Sequence, residues 1–294
     1  MPSTSRSRIW AGIALALAAA IAFALANTSA SLAYQSGSNP LTVAAFRFVL
    51  PAAVLVVWLR LGGIPLGLSK RSGWIAVALG IVTAIYTWAL LSAIGMIPLA
   101  LAVLVFYLFP LIATVILGIC GWEKLGWRKI AAIVLAFVGL TLALDVTGGN
   151  LNIIGVTLAF VAALGLGTVI VVSSRVIRAG DSRPVTLYMA TAAGVLLIAY
   201  CAAAGEFVLP RTGLGWAGFI GAAAFYAFAM IAFYIALSMI GPVQVSLMSY
   251  AEPVVAAGLG VTLLGEALAP IQVAGIALVV VALVGATLWQ PRAP

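Results

Sequence analysis

Two charged side chains stand where the chain is otherwise apolar: Arg47 in "AAFRFVL" (44–50) and Glu252 in "SYAEPVVAA" (249–257). A charge at the centre of a membrane helix lies about 2.5–3.5 kcal/mol above water on insertion scales, so each needs a job or a partner. Two readings compete, and a third is that each finds a separate polar partner. The pair forms a buried ion pair that pins the bundle or a gate, or Glu252 receives a cationic amine or a proton in a cavity while Arg47 favours a carboxylate. Glu252 is followed directly by Pro253, and Pro110 occupies the corresponding place in "YLFP". A proline inside a helix removes one backbone donor and strands a carbonyl, which predicts kinks at Pro110 and Pro253. Freed backbone groups at that depth are tolerated where they face protein or a wet cavity.

Aromatic residues gather at mid-span: Tyr86 and Trp88, Tyr107, Phe225, Tyr226 and Tyr234, and Tyr250. Tyrosine and tryptophan at depth need a hydrogen-bond partner. Together they suit either ordinary packing or a cavity with apolar walls and a few polar tips, fit for neutral, aromatic or delocalised cationic guests. Asn27, with Thr28 and Ser29, forms a small polar cluster that would bond a substrate or join helices. There is no histidine, and the two cysteines stand far apart. Metal catalysis therefore lacks ligands, and no nucleophile has a base beside it. No enzyme, metal or cofactor is expected. Walker-type phosphate loops are missing. "GLGWAG" (213–218) has the letters of a dinucleotide fingerprint but follows no strand, so its glycines are read as close helix packing.

These residues must be carried by membrane helices. Of 294 residues 65% are hydrophobic and 7% charged, far from the roughly 25% charged of soluble domains. Apolar runs of about 20 residues recur, the length that crosses a hydrocarbon core of about 30 Å. Period-2 alternation is absent, which excludes a β-barrel. Ten spans are expected near 8–34, 40–60, 73–95, 98–120, 127–145, 151–177, 184–205, 214–240, 242–264 and 270–289. The first is read as a retained helix, since its apolar run exceeds that of a secretory signal. With the N-terminus inside, twelve Lys and Arg fall in cytoplasmic segments and only Arg211 outside, which places both termini in the cytoplasm. The net charge of +8 is thus explained by topology, and nucleic acid is not an expected partner. Glu252 comes about 15 Å from the inner end of its helix, and Arg47 about 10 Å from the outer end of its own. Cys120 and Cys201 lie on opposite sides of the bilayer and are read as small buried residues that cannot pair.

A shift of 143 residues lays Tyr107 on Tyr250, Pro110 on Pro253 and Glu123 on Glu266; "GWEKL" meets "LGEAL", and nearby registers match "NPLT" (39–42) to "RPVT" (183–186). The expected units are 1–145 and 151–294, joined by a linker at 146–150 within "DVTGGN". Five spans is an odd number, so the second unit enters the membrane upside down. The fold class is therefore an all-α polytopic membrane protein, ten transmembrane helices arranged as two inverted five-helix repeats.

The stretch "LSMIGPVQVSLMSYAEPVVAAGLGVTLLGEALAPIQVAGIALV" (237–279), with a weaker copy closing the first half, resembles the EamA-type drug/metabolite transporters over essentially the whole chain. The "EP…GE" pattern across the last two spans carries the likeness. In overall plan the chain is most similar to YddG-like exporters of aromatic and other amino acids, though no substrate-reading motif of that subfamily is matched. The resemblance implies a secondary transporter of the bacterial inner membrane that exports amino acids and related small metabolites by alternating access. A multidrug exporter of lipophilic cations is the alternative. A nucleotide-sugar or sugar-phosphate carrier is less favoured, because a multiply anionic guest should want more than one buried arginine. The expected partners are a small-molecule substrate and the lipid bilayer, with protons added if transport is coupled.

Overall fold

Leucine, alanine, isoleucine and valine runs with no polar face give helices apolar all round, and these must be sorted by packing rather than by amphipathicity. A computed structural model describes residues 6–123, 126–144, 152–178, 181–264 and 268–288. They form α1 (Arg6–Gln35), α2 (Pro40–Arg47), α3 (Val49–Leu61), α4 (Lys70–Ile94), α5 (Leu99–Phe106), α6 (Phe109–Ile119) and α7 (Trp127–Ala143), then α8 (Ile153–Arg178), α9 (Ser182–Ala204), α10 (Gly213–Ile240), α11 (Pro242–Met248), α12 (Ala251–Leu264) and α13 (Pro270–Leu288). No strand occurs among the described residues. The expected linker at 146–150, Lys124 and Glu266 lie outside them.

Three pairs of segments join end to end as Pro40–Leu61, Leu99–Ile119 and Pro242–Thr262, so that eight helices among the described residues are long and apolar enough to cross a membrane. The other two expected spans are helical but shorter: α7 has 17 residues, and the apolar part of α13 runs over Pro270–Ala286. Each break precedes a proline by a few residues. Before Pro110 the Leu108 N–H donates to the Val105 carbonyl at 3.1 Å, and before Pro253 the Tyr250 N–H donates to the Leu247 carbonyl at 3.1 Å. These are i−3 bonds, a tightened turn that absorbs the missing donor. The third break, at Phe48 before Pro51, is absent from the expected kinks. Its counterpart α9 is continuous, because the shift of 143 residues puts Gly194 where Pro51 stands.

Glycines set the helix pairs. A Cβ on Gly218 would come within 2.6 Å of the Ser29 carbonyl, and one on Gly12 within 2.5 Å of Ile240, so α1 and α10 run antiparallel in close contact. The pair α4 and α8 repeats this arrangement, with Gly155 against Ile97 and Gly165 against Tyr86. Gly139 faces the Gly275 carbonyl, and the Gln272 amide donates to the Ala143 carbonyl at 3.3 Å, so α7 and α13 also pack antiparallel. Helices α2, α4, α5 and α7 begin at 40, 70, 99 and 127, while α9, α10, α11 and α13 begin at 182, 213, 242 and 270. The offsets are 142, 143, 143 and 143, and α7 thus packs against its own counterpart running the other way.

At one end the turn after α1 is knitted to the turn before α10. The buried Thr42 hydroxyl donates to the Glu206 carbonyl at 2.8 Å and accepts from the Val208 N–H at 3.1 Å; the Asn39 amide also donates to Glu206, at 2.9 Å. Asn39 caps α2, whereas its counterpart α9 is capped by Asp181, whose carboxyl hydrogen bonds from Arg183 hold below the usual carboxylate range. Cys201 is buried and Cys120 exposed, and neither is in a disulfide.

Candidate functional site

Arg47 is the last residue of α2, where the chain breaks ahead of Pro51. Its guanidinium carbon lies 4.4 Å from the centre of the Tyr226 ring and 5.9 Å from that of Phe48, and its Nε is buried without a hydrogen-bond partner. Tyr226, from α10, is held edge-on by Phe48 at 5.2 Å and by Phe23 at 5.5 Å. A cation stacked on an aromatic face in a dehydrated setting is attracted by the ring quadrupole, but stacking leaves the guanidinium's in-plane donors unused.

Glu252 sits on the first turn of α12, just past the break before it. One carboxylate oxygen accepts from the Asn27 amide of α1 at 2.9 Å, and the Tyr107 side chain stands near the same carboxylate. Tyr107 stands in the α5–α6 break and Tyr250 in the α11–α12 break. Their rings are 5.7 Å apart, and the Tyr250 hydroxyl donates to the Tyr107 carbonyl at 3.0 Å. Residues related by the sequence repeat thus touch each other, which puts this contact where the two halves meet. From Tyr107 the aromatic chain continues through Phe106, at 5.9 Å, to Tyr86, at 6.4 Å.

Ion pairs within 4.0 Å among the described residues are Lys129 with Glu123 and Arg183 with Asp181; Arg47 and Glu252 do not form one. Both lie in one neighbourhood yet keep separate company, Glu252 with the Asn27 amide and Arg47 with the Tyr226 face. Asn27, Arg47, Tyr86, Tyr107, Tyr226, Tyr250 and Glu252 therefore form one constellation drawn from α1, α2, α4, α10, α12 and the two breaks. Tyr234 is buried about two turns beyond Tyr226, against Phe233 at 5.4 Å. Trp88 and Phe225 stand elsewhere. Trp88 is 38% exposed on the stripe of Ile81 and Ile85, and Phe225 is 39% exposed beside Phe228 and Ile220. Those stripes are the outward faces of α4 and α10.

Several residues of this region escape sequence reading. Phe23, Phe48 and Phe106 build the ring contacts, and any phenylalanine in an apolar run looks the same. Thr87, Gln244 and Ser246 carry buried polar atoms with no hydrogen-bond partner. For the last two the signal is present, two polar residues inside "PVQVSLM".

The model of the EamA-like transporter family matches residues 10–144 and again residues 153–288. A solved crystal structure of a protein, 21% identical, aligns over 95% of this chain and 99% of its own with a TM-score of 0.80, a likeness of fold. No curated protein matches the sequence.

Proposed function

The chain belongs to the EamA-like transporter family, its model being matched twice along the chain, and from that premise we propose a ten-span exporter of amino acids, aromatic and other neutral ones, and related small metabolites. In this reading two inverted five-helix repeats enclose the constellation of Arg47 and Glu252 and expose it alternately to either side of a bacterial inner membrane. Antiparallel packing of α7 on its counterpart α13 supports the inversion, and two such halves around a midplane site are the usual basis of alternating access.

One observation carries the substrate class: two opposite charges share a site without neutralising each other. Arg47 has a buried Nε lacking a partner, and the Glu252 carboxylate accepts from the Asn27 amide with no cation paired to it among the described residues. A zwitterion would complete both, its carboxylate on the in-plane donors of Arg47 and its ammonium on Glu252, while the aromatic rings accept an apolar side chain. The second reading, export of lipophilic cations, rests on Glu252 and the same rings and leaves Arg47 without a task.

Proteoliposomes offered aromatic and neutral amino acids and lipophilic cations, with and without a pH gradient, test this. Amino acids should move. Arg47→Gln and Glu252→Gln should each cut the flux by at least about tenfold, the worth of one charge-assisted hydrogen bond lost from a bound group, and Glu252→Gln should abolish any dependence on the gradient. Movement of cations alone overturns the reading.

A further inference from the structure

Two segments related by the repeat are packed very differently. The shift of 143 residues lays α11 on α5, and α11 starts near the beginning of α1, where Gly12 meets Ile240. All seven residues of α11 are buried, whereas in α5 Ala102 alone is. Helices of both halves enclose α11, namely α1, α6, α7, α8 and α10, while α5 packs chiefly on α8 and α4. Because α11 rests on α6, two halves of the broken spans meet at this end; α5 and α12 make no comparable contact among the described residues. The molecule is therefore shut at the end where α1 begins and looser at the other.

What is shut in is polar. Gln244 and Ser246 are 6% and 0% exposed, and neither the Gln244 Nε2 nor the Ser246 Oγ has a hydrogen-bond partner among the described residues. The repeat puts Leu101 and Val103 at those places in α5, so the fold itself asks for nothing polar there. A buried group left unpaired costs free energy that contact with water would return. The two residues stand about 200° apart around the helix axis, so the cost falls on two faces of α11 and not on one pocket. Gly241, at φ 81° and ψ 171°, precedes the segment in a backbone conformation that suits glycine, and the break at Tyr250 follows it. A joint thus lies at each end of α11.

We propose that α11 is the gate at this end, and that Gln244 and Ser246 keep it openable by weighing against the shut arrangement. Their unpaired groups are wetted once the segment leaves α6, as polar groups at membrane depth are where they line a water-filled path. An apolar residue at either place removes a cost from the shut state and adds one to the wetted state, so both effects hold the gate closed. The inference rests on the transport reading, in which this end faces the cytoplasm and must open to admit substrate.

The test uses the full chain in proteoliposomes, carrying Cys120→Ser and Val243→Cys. Val243 is 1% exposed on α11, so the rate at which a small permeant thiol reagent modifies a cysteine there reports how often the gate opens; the chain with Cys120→Ser alone is the blank for Cys201. Gln244→Leu and Ser246→Ala should each slow that reaction by on the order of tenfold, the worth of one buried unsatisfied group. Gln244→Asn, which keeps an unpaired amide, should not slow it. A role in packing alone predicts the opposite order, with the similarly sized leucine harmless and the shorter asparagine disruptive. Modification that neither Gln244→Leu nor Ser246→Ala slows overturns the proposal and leaves the transport reading standing. If the folded Val243→Cys parent is never modified, this end does not open, and the proposal falls together with alternating access.

Discussion

At the scale of single residues, the contact between Tyr107 and Tyr250 is the most exposed to experiment. The Tyr250 ring is fully buried, and its hydroxyl donates across the meeting point of two helix breaks to the Tyr107 carbonyl. Tyr250→Phe keeps the ring stack and removes only that donor, so it should lower thermal or denaturant stability by about 1 kcal/mol. A loss below about 0.3 kcal/mol, measured in the same detergent, would show that the bond is not formed in the folded protein. Arg47 and Glu252 could be picked out from sequence because charge inside an apolar run is rare. Asn27 and Tyr226 were among the candidates too, but which charge each would meet could not be read. Asn27 is 225 residues from Glu252, and Tyr226 is one aromatic among several on α10. Trp88 and Phe225 show the same limit from the other side. Helices α4 and α10 are apolar all round, so depth can be read from sequence position but the direction a residue faces is set by neighbouring helices.

At the scale of elements, glycine decides which helices approach. Gly218 has the Ser29 carbonyl and the Leu32 Cβ within 2.7 Å of where its own Cβ would be. The obstruction is partly backbone, which cannot rotate aside, so Gly218→Leu must part α1 from α10 there. We expect a loss of about 1–3 kcal/mol from overpacking, read as a lowered melting temperature in detergent. Gly258→Leu is the control, since nothing lies within 4 Å of a Cβ there, and equal effects of the two changes would refute the packing argument. The lengths and order of the helices, and the interruptions near Pro110 and Pro253, were legible because apolar length and proline are local signals. Pro51 carries the same signal, yet its break at Phe48 was not anticipated. The repeat drew attention to prolines that recur, and Pro51 has Gly194 as its counterpart. Breaks therefore follow from proline itself, and symmetry only says which of them come in pairs.

At the scale of the whole molecule, the two halves are joined by exchange. Helix α1 packs on α10 and α8 on α4, each pairing one half with the other, while α7 and α13 pair as counterparts. Neither half could bury its own apolar faces alone in this arrangement, and the sequence repeat does not reveal such crossing because it compares residues within a register and says nothing of contacts between copies. Orientation in the membrane is the remaining global property, and the native cysteines report it. Cys120 is exposed at the end of α6, next to the basic segment around Lys129, and Cys201 is buried near the end of α9. If basic segments stay in the cytoplasm, a membrane-impermeant maleimide should leave intact spheroplasts unlabelled and should label inside-out vesicles through Cys120. Cys120→Ser should remove that signal, since Cys201 is inaccessible in the fold. Labelling of Cys120 from the outer face would reverse the topology and with it the direction assigned to transport, while the fold and the charged constellation would stand as described.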